Sequence, residues 1–90
     1  MKPKVLLLSD DIRSVSGAAR ISKDIILNTV DKFDWVQLAA KHDHEEDGHI
    51  IDVSKATEEM TGVSDAYVRL YANTGYGDEM TLRRIIKHEN

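Results

Sequence analysis

The sequence contains no cysteine, one proline and few aromatic residues. Without cysteine the chain has neither a disulfide framework nor a thiolate metal site. The longest apolar run, Val5 to Leu8, is far shorter than a membrane span or the core of a signal peptide, so we expect a cytoplasmic chain. A net charge of −4, from 16 acidic and 12 basic residues, argues against nucleic acid as a partner, because its binders concentrate Lys and Arg.

The remaining composition is that of an ordinary globular protein, with 41% hydrophobic and 31% charged residues. A chain of 90 residues makes at most one domain, and its hydrophobic core is thin. We therefore treat residues 1–90 as a single domain without internal repeats or linkers.

Hydrophobic patterning predicts strands and helices in the order β-α-β-β-α-β-α. The continuous apolar run Lys4–Leu8 predicts a strand buried on both faces, as in a parallel sheet. Strands that alternate with helices favour an α/β fold, a Rossmann-like three-layer sandwich with a mainly parallel sheet. Because the last predicted helix should lead into another strand, we expect an incomplete domain. Further strands are predicted over 33–40, 50–53 and 66–71, with helices over 18–30, from Ser54 to Gly62 and from Asp78 to about Glu89.

The first predicted helix is amphipathic and should cover the sheet. Its polar half carries Arg20, Asp24 and Asn28, and Ser16 is placed to cap its amino end. Ser54 and Asp78 are the predicted caps of the two later helices, and Gly62 is the predicted stop of the second. The predicted inner face of the first helix consists of Ala18, Ala19, Ile21, Ile25, Ile26 and Val30.

The loop between the first strand and the first helix is the best candidate for a ligand site. In open α/β sheets, ligands bind beyond the carboxyl ends of the strands. A helix amino end offers free N–H groups and a positive dipole to a phosphate, and Gly17 would let the backbone approach it closely. Equally open is a structural role, with Ser16 as a cap and Gly17 allowing tight packing of helix on sheet. The predicted ligand-binding residues are Ser9, Asp10, Arg13, Ser16, Gly17 and Ala18.

The chain lacks both the G-x-G-x-x-G fingerprint and a Walker A sequence, which disfavours ordinary dinucleotide and P-loop chemistry. The run Lys4-Val-Leu-Leu-Leu-Ser-Asp, followed by Ser16-Gly17-Ala18-Ala19-Arg20 and an amphipathic helix, resembles the start of retaining glycosyltransferases of GT-B architecture, with a family 4-like N-terminal domain. Asp34-Trp-Val-Gln-Leu-Ala and Tyr67-Val-Arg-Leu-Tyr are similar to later strands of that family. The family often has two glycines where this sequence has Gly17-Ala18.

The resemblance implies the acceptor-side, N-terminal segment of a nucleotide-sugar-dependent glycosyltransferase. Its partners in the full-length protein would be a nucleotide-sugar donor and an acceptor. The family places the donor site and its paired acidic residues in a C-terminal domain that this chain does not contain. We therefore expect an inactive segment with no catalytic residue and no cofactor. The loop carrying His42 and His44 would lie near the acceptor cleft.

Two other functions remain open. The chain could be a non-enzymatic α/β module that forms a homodimer through an exposed sheet edge, since strand addition satisfies unpaired backbone groups. Ser9-Asp10-Asp11 is also typical of the acidic pocket of response-regulator receivers, with Asp52 as the candidate phosphoacceptor, but no strand-ending Lys follows. The acidic loop 42–49 contains three histidines and is interpreted as solvated, so no metal site is predicted.

Overall fold

The computed structural model describes residues 2–89, which form four strands and three helices in the predicted order. The elements are β1 Lys4–Asp10, α1 Gly17–Thr29, β2 Asp34–Lys41, β3 Ile50–Asp52, α2 Ser54–Thr61, β4 Val68–Thr74 and α3 Glu79–Glu89. The β4 strand begins later than predicted and continues further, because its pairing with β2 extends to Lys41.

The four strands form one sheet in the order β1-β2-β4-β3. The pairs β1–β2 and β2–β4 are parallel, which confirms the prediction of a mainly parallel sheet. The β3 strand is antiparallel to β4. The loop from β2 to β3 is shorter than the roughly dozen residues that a crossover between parallel strands needs. The chain therefore enters β3 at the same end of the sheet at which β2 finishes, and β3 runs in the opposite direction.

Helices cover both faces of the sheet. On one face, Ile26 of α1 packs with Trp35 and Leu70, and the residues flanking α2 join the same cluster. On the other face, Ile85 of α3 packs with Val36 and Leu38. The two clusters place the sheet between α1 on one side and α3 on the other, and they bury the central strands β2 and β4.

The prediction that the first strand is buried on both faces is correct only in part, because Val5 and Leu7 pack on one face and Leu6 on the other, each of them partly buried. Within residues 2–89, β1 pairs only with β2 and forms an edge of the sheet. None of its residues is fully buried, and Leu8 remains 43% exposed. An apolar run shows that both faces of a strand contact other groups, but it does not specify whether the strand has a neighbour on each side.

The predicted inner face of α1 is correct for Ala19, Ile26 and Val30, which are buried. Ala18 is exposed, and Ile21 and Ile25 retain 63% and 46% of their accessible surface. The contact with the sheet covers a narrower arc of the helix than its apolar residues do.

Three of the four predicted helix signals are confirmed. The Ser16 hydroxyl accepts a hydrogen bond from the N–H of Ala19 at 3.1 Å, and Asp78 accepts from Thr81 at 3.0 Å. Gly62 ends α2 in the left-handed conformation with φ of 76°.

The prediction of Ser54 as a cap is wrong, because the cap position is occupied by Val53. The Ser54 hydroxyl accepts a hydrogen bond from the N–H of Val68 at 2.9 Å instead, and it thereby ties α2 to the start of β4.

Candidate functional site

The carboxyl ends of the three parallel strands meet at one edge of the sheet. Asp10 lies beside Ala40 in the register of β1 and β2, and Lys41 lies beside Thr74 in that of β2 and β4. The loop after β1 and the amino end of α1 are at the same edge. The structure therefore brings the predicted ligand-binding loop to the position at which open α/β sheets bind ligands.

Asp10 connects the two loops that follow β1 and β4. Its carboxylate accepts a hydrogen bond from the Ser16 hydroxyl at 2.8 Å and another from the Tyr76 hydroxyl. The Tyr76 and Ser16 hydroxyls hold the pKa of Asp10 below its usual range. Asp10 is therefore an ionised acceptor at the surface of this edge.

Asp11 is buried and paired with Arg13. The guanidinium contacts both carboxylate oxygens, with Nε 3.1 Å from Oδ1 and Nη2 2.7 Å from Oδ2, and the Arg13 N–H also donates to Oδ1. Burial raises the pKa of Asp11, but the hydrogen bonds from Arg13 and from His44 outweigh burial and hold the pKa at about 2. Arg13, which was predicted to contact a ligand, is engaged with Asp11 and with Glu46 at 3.0 Å.

His44 completes this buried cluster. Its Nε2 lies 2.9 Å from Asp11 Oδ2, and its Nδ1 accepts a hydrogen bond from the N–H of Glu46 at 3.1 Å. Because Nδ1 is an acceptor, the ring proton of the neutral form is on Nε2 and points at Asp11. Both ring nitrogens are thus occupied within the protein, and His44 serves to fasten the loop after β2 to the loop after β1.

Gln37 is a site residue that sequence reasoning missed. Its side chain is fully buried, and its amide donates to Ser9 Oγ at 2.6 Å and to the Asp10 carbonyl at 2.7 Å. Its carbonyl oxygen accepts from the N–H of Ile12 at 3.3 Å. The only signal in the sequence is a polar residue in the middle of an apolar strand. Gln37 fixes the path of the loop after β1. Its amide also occupies the hydroxyl oxygen of Ser9, which was predicted to contact a ligand.

The amino end of α1 is open to solvent. A Cβ atom added at Gly17 would meet nothing within 4 Å, so the interpretation of Gly17 as a packing glycine is wrong. The N–H groups of Gly17 and Ala18 have no acceptor among residues 2–89. Beside them is a groove of about 270 Å³ lined by the loop after β1 together with Arg20 and Lys23, which we name the α1 groove. Neither Arg20 nor Lys23 has a carboxylate within 4 Å among residues 2–89.

A second depression lies over the strand ends themselves. This strand-end cleft has a volume of about 250 Å³ and is lined by Asp10, Lys41, His42, Gly75 and Tyr76, among others. His42 is almost fully exposed, with Nε2 3.3 Å from the Asp43 carboxylate. Of the two predicted acceptor-side histidines, His42 is therefore the one whose ring is accessible.

The arrangement that a receiver needs is not formed. Asp52 pairs with Arg69 near the start of β4, at the opposite edge of the sheet from Asp10 and Asp11.

Among residues 2–89, no group of three or more His, Asp or Glu side chains is placed to hold a metal ion. None of the helices within residues 2–89 has the length and the apolar composition of a membrane span. No family model, curated protein or solved structure matches this chain.

Proposed function

We propose that this chain is the N-terminal, acceptor-side segment of a nucleotide-sugar-dependent glycosyltransferase. The observation that carries the proposal is the open amino end of α1 at the carboxyl edge of a parallel sheet, flanked by two exposed cations. Sugar would pass from the donor to the acceptor in a cleft shared with a second domain, and the segment alone is inactive.

The strand order supports a Rossmann-like origin for the sheet. A doubly wound sheet of this kind has the order 3-2-1-4, in which the first strand lies between the second and the fourth. The spatial order β4-β2-β1 corresponds to strands 3-2-1 of such a sheet. The helix α3, which follows β4, lies on the face opposite α1, as the helix after the third strand does in a doubly wound sheet. One edge of β1 has no partner strand within residues 2–89, and the next parallel strand of this fold would pair there, near the exposed side chains of Leu8 and Ile86. This supports an incomplete Rossmann-like domain.

The α1 groove is the proposed contact for the donor phosphates. Arg20 and Lys23 line the groove and supply positive charge. The N–H groups of Gly17 and Ala18 and the positive end of the helix dipole belong to the first turn of α1, next to Ser16 in the lining, and also favour an anion. The absence of steric obstruction at Gly17 allows a phosphate oxygen to come close to the backbone.

The strand-end cleft is the proposed contact for a hydroxyl-bearing acceptor. Asp10 is ionised and can accept hydrogen bonds from hydroxyl groups, and the half-exposed ring of Tyr76 offers a flat surface on which a sugar can stack. His42 lies at the rim with its ring accessible.

Chemical-shift mapping with UDP-glucose tests the proposal. We expect the amide signals of Gly17, Ala18 and Arg20 to shift, with a dissociation constant on the order of 1 mM for a site that contacts only the phosphates. Arg20→Gln should weaken binding several-fold, whereas the control Lys32→Gln removes an exposed charge elsewhere and should not. Shifts confined to other surfaces, or equal affinity in Arg20→Gln, would refute a donor-phosphate site at α1.

A homodimer formed through the β1 edge is the second candidate, favoured by the side of that strand which has no partner strand within residues 2–89. Antiparallel pairing of two copies about Leu7 would set Lys4 opposite Asp10 of the other copy and join apolar residues between them. The solution mass distinguishes the candidates, because this function requires a dimer that Leu8→Lys dissociates. A monomeric parent chain at high micromolar concentration rules it out.

A further inference from the structure

A cavity of about 200 Å³ lies between α3 and the β3–β4 side of the sheet, away from the α1 groove and the strand-end cleft. One wall is a stripe of α3 that carries Thr81, Arg84, Ile85 and His88. The other wall includes His49 and Ile50 at the start of β3 and Tyr71 of β4. We name this space the α3 cavity.

The floor of the α3 cavity is apolar, and Arg84 places a positive charge at its rim. Ile85 and Tyr71 are buried beneath it, and Ile50 leaves 47% of its surface exposed. Arg84 has no carboxylate within 4 Å among residues 2–89, in contrast to its neighbour Arg83, which is paired with Glu79. The one acidic residue of the lining, Asp47, directs Oδ1 to the N–H of Thr74 at 2.6 Å.

The ring of His88 is held in place at this rim. The Tyr71 hydroxyl donates its proton to the Glu89 carboxylate, so it accepts from His88 Nδ1 at 2.6 Å. The two rings meet edge to face, with centroids 5.8 Å apart. His88 Nε2 has no partner within residues 2–89, and because the proton lies on Nδ1 it is a hydrogen-bond acceptor in the neutral ring.

We propose that the α3 cavity binds a small organic anion, a carboxylate or phosphate carried on an apolar body. Arg84 would contact the anionic group, while the apolar body lies on Ile50 and Tyr71. The volume is below the 300–1,000 Å³ or so that is usual for drug-sized ligands, so it fits a ligand of about one ring.

Phenyl phosphate is the probe for this site, titrated into the isotope-labelled chain and followed by amide chemical shifts. We expect saturable shifts at Ile50, Ala72 and Arg84, and inorganic phosphate should bind at least several-fold more weakly because it lacks the apolar body. Arg84→Gln should lower the affinity for phenyl phosphate at least about tenfold, since hydrogen bonds to a charged group are worth about 1.5–3 kcal/mol.

Arg83→Gln is the matched control, because it removes the same charge one residue away on the solvent side of α3. It should leave the affinity unchanged, and the spectra of both variants show whether the fold is retained. Equal binding of the two probes, undiminished binding by Arg84→Gln, or shifts only around Ala18 and Arg20 would overturn the inference. Because Ala18 and Arg20 report the α1 groove, the same spectra separate this site from the donor-phosphate site.

Discussion

Replacing Asp11 with Asn should destabilise the protein substantially while keeping the shape of the side chain. In the parent, one carboxylate oxygen accepts from Arg13 Nε and N–H, and the other accepts from Arg13 Nη2 and lies against His44 Nε2. An Asn side chain has a single oxygen, so one of these two sets of donors faces an NH₂ group. His44 cannot avoid this conflict by moving its proton, because Nδ1 accepts from Glu46.

Two routes give the magnitude. The folded pKa of about 2, against an ordinary value of 3.8, corresponds to about 2 kcal/mol at neutral pH. Losing two charge-assisted hydrogen bonds costs about 1.5–3 kcal/mol each, partly recovered because Arg13 is 37% exposed and water can solvate it. We therefore expect a loss of about 2–3 kcal/mol in unfolding free energy, and a fall in Tm of roughly 10 °C or more for a domain of this size.

Urea denaturation followed by circular dichroism measures this loss, with Asp24→Asn as the control. Asp24 is exposed on α1 and its carboxylate has no ion-pair partner within residues 2–89, so its substitution should change the unfolding free energy by less than about 0.5 kcal/mol. The folded pKa of Asp11 is depressed, so its contribution is present above pH 3.8 and disappears as the pH falls towards 2. An Asp11→Asn protein as stable as the parent at pH 7 would contradict the buried-cluster account.

Two further predictions concern α3 and the loop before it. Glu89 is held by the Tyr71 and Tyr67 hydroxyls, and although burial raises its pKa, these bonds lower it to about 2 from 4.5. Its stabilisation is therefore present above pH 4.5 and lost as the pH falls towards 2, and Glu89→Gln should flatten that part of the unfolding free energy profile; an unchanged profile would contradict this. Gly77→Ala should destabilise the chain by about 1–3 kcal/mol, because φ is +77° and the new Cβ would lie 2.9 Å from Leu38 Cδ1. Gly17→Ala is the matched control in thermal unfolding, because within residues 2–89 the new Cβ would meet no group beyond its own helix turn within 4 Å, and it should be neutral or stabilising.

The local features of the fold could be predicted from the sequence. The order of elements, the Ser16 cap and the Gly62 stop depend on neighbouring residues in the chain, so the patterns that specify them are short. The edge position of β1 depends instead on which strands pair, and a run of apolar residues carries no information about that. Ile21 and Ile25 show the same limit, since an apolar residue on a helix is buried only where a partner surface covers it.

The position of the loop after β1 could be predicted from the sequence, but the contacts within it could not. The loop after β1 lies at the carboxyl edge because of the α/β topology, which the patterning indicates. The burial of Asp11, His44 and Gln37 depends on partners far along the chain. Asp11 and His44, for example, are 33 positions apart in the sequence. Sequence spacing does not reveal such pairs, so residues that looked like ligand contacts turned out to be occupied with one another.

The affinity of the chain for UDP compared with uridine tests the central claim most directly, because the claim is that the phosphates are held at the amino end of α1. The account predicts that UDP binds at least about tenfold more tightly than uridine, and that Arg20→Gln together with Lys23→Gln removes most of this difference. Equal affinities for UDP and uridine, or a difference that persists in the double variant, would contradict it.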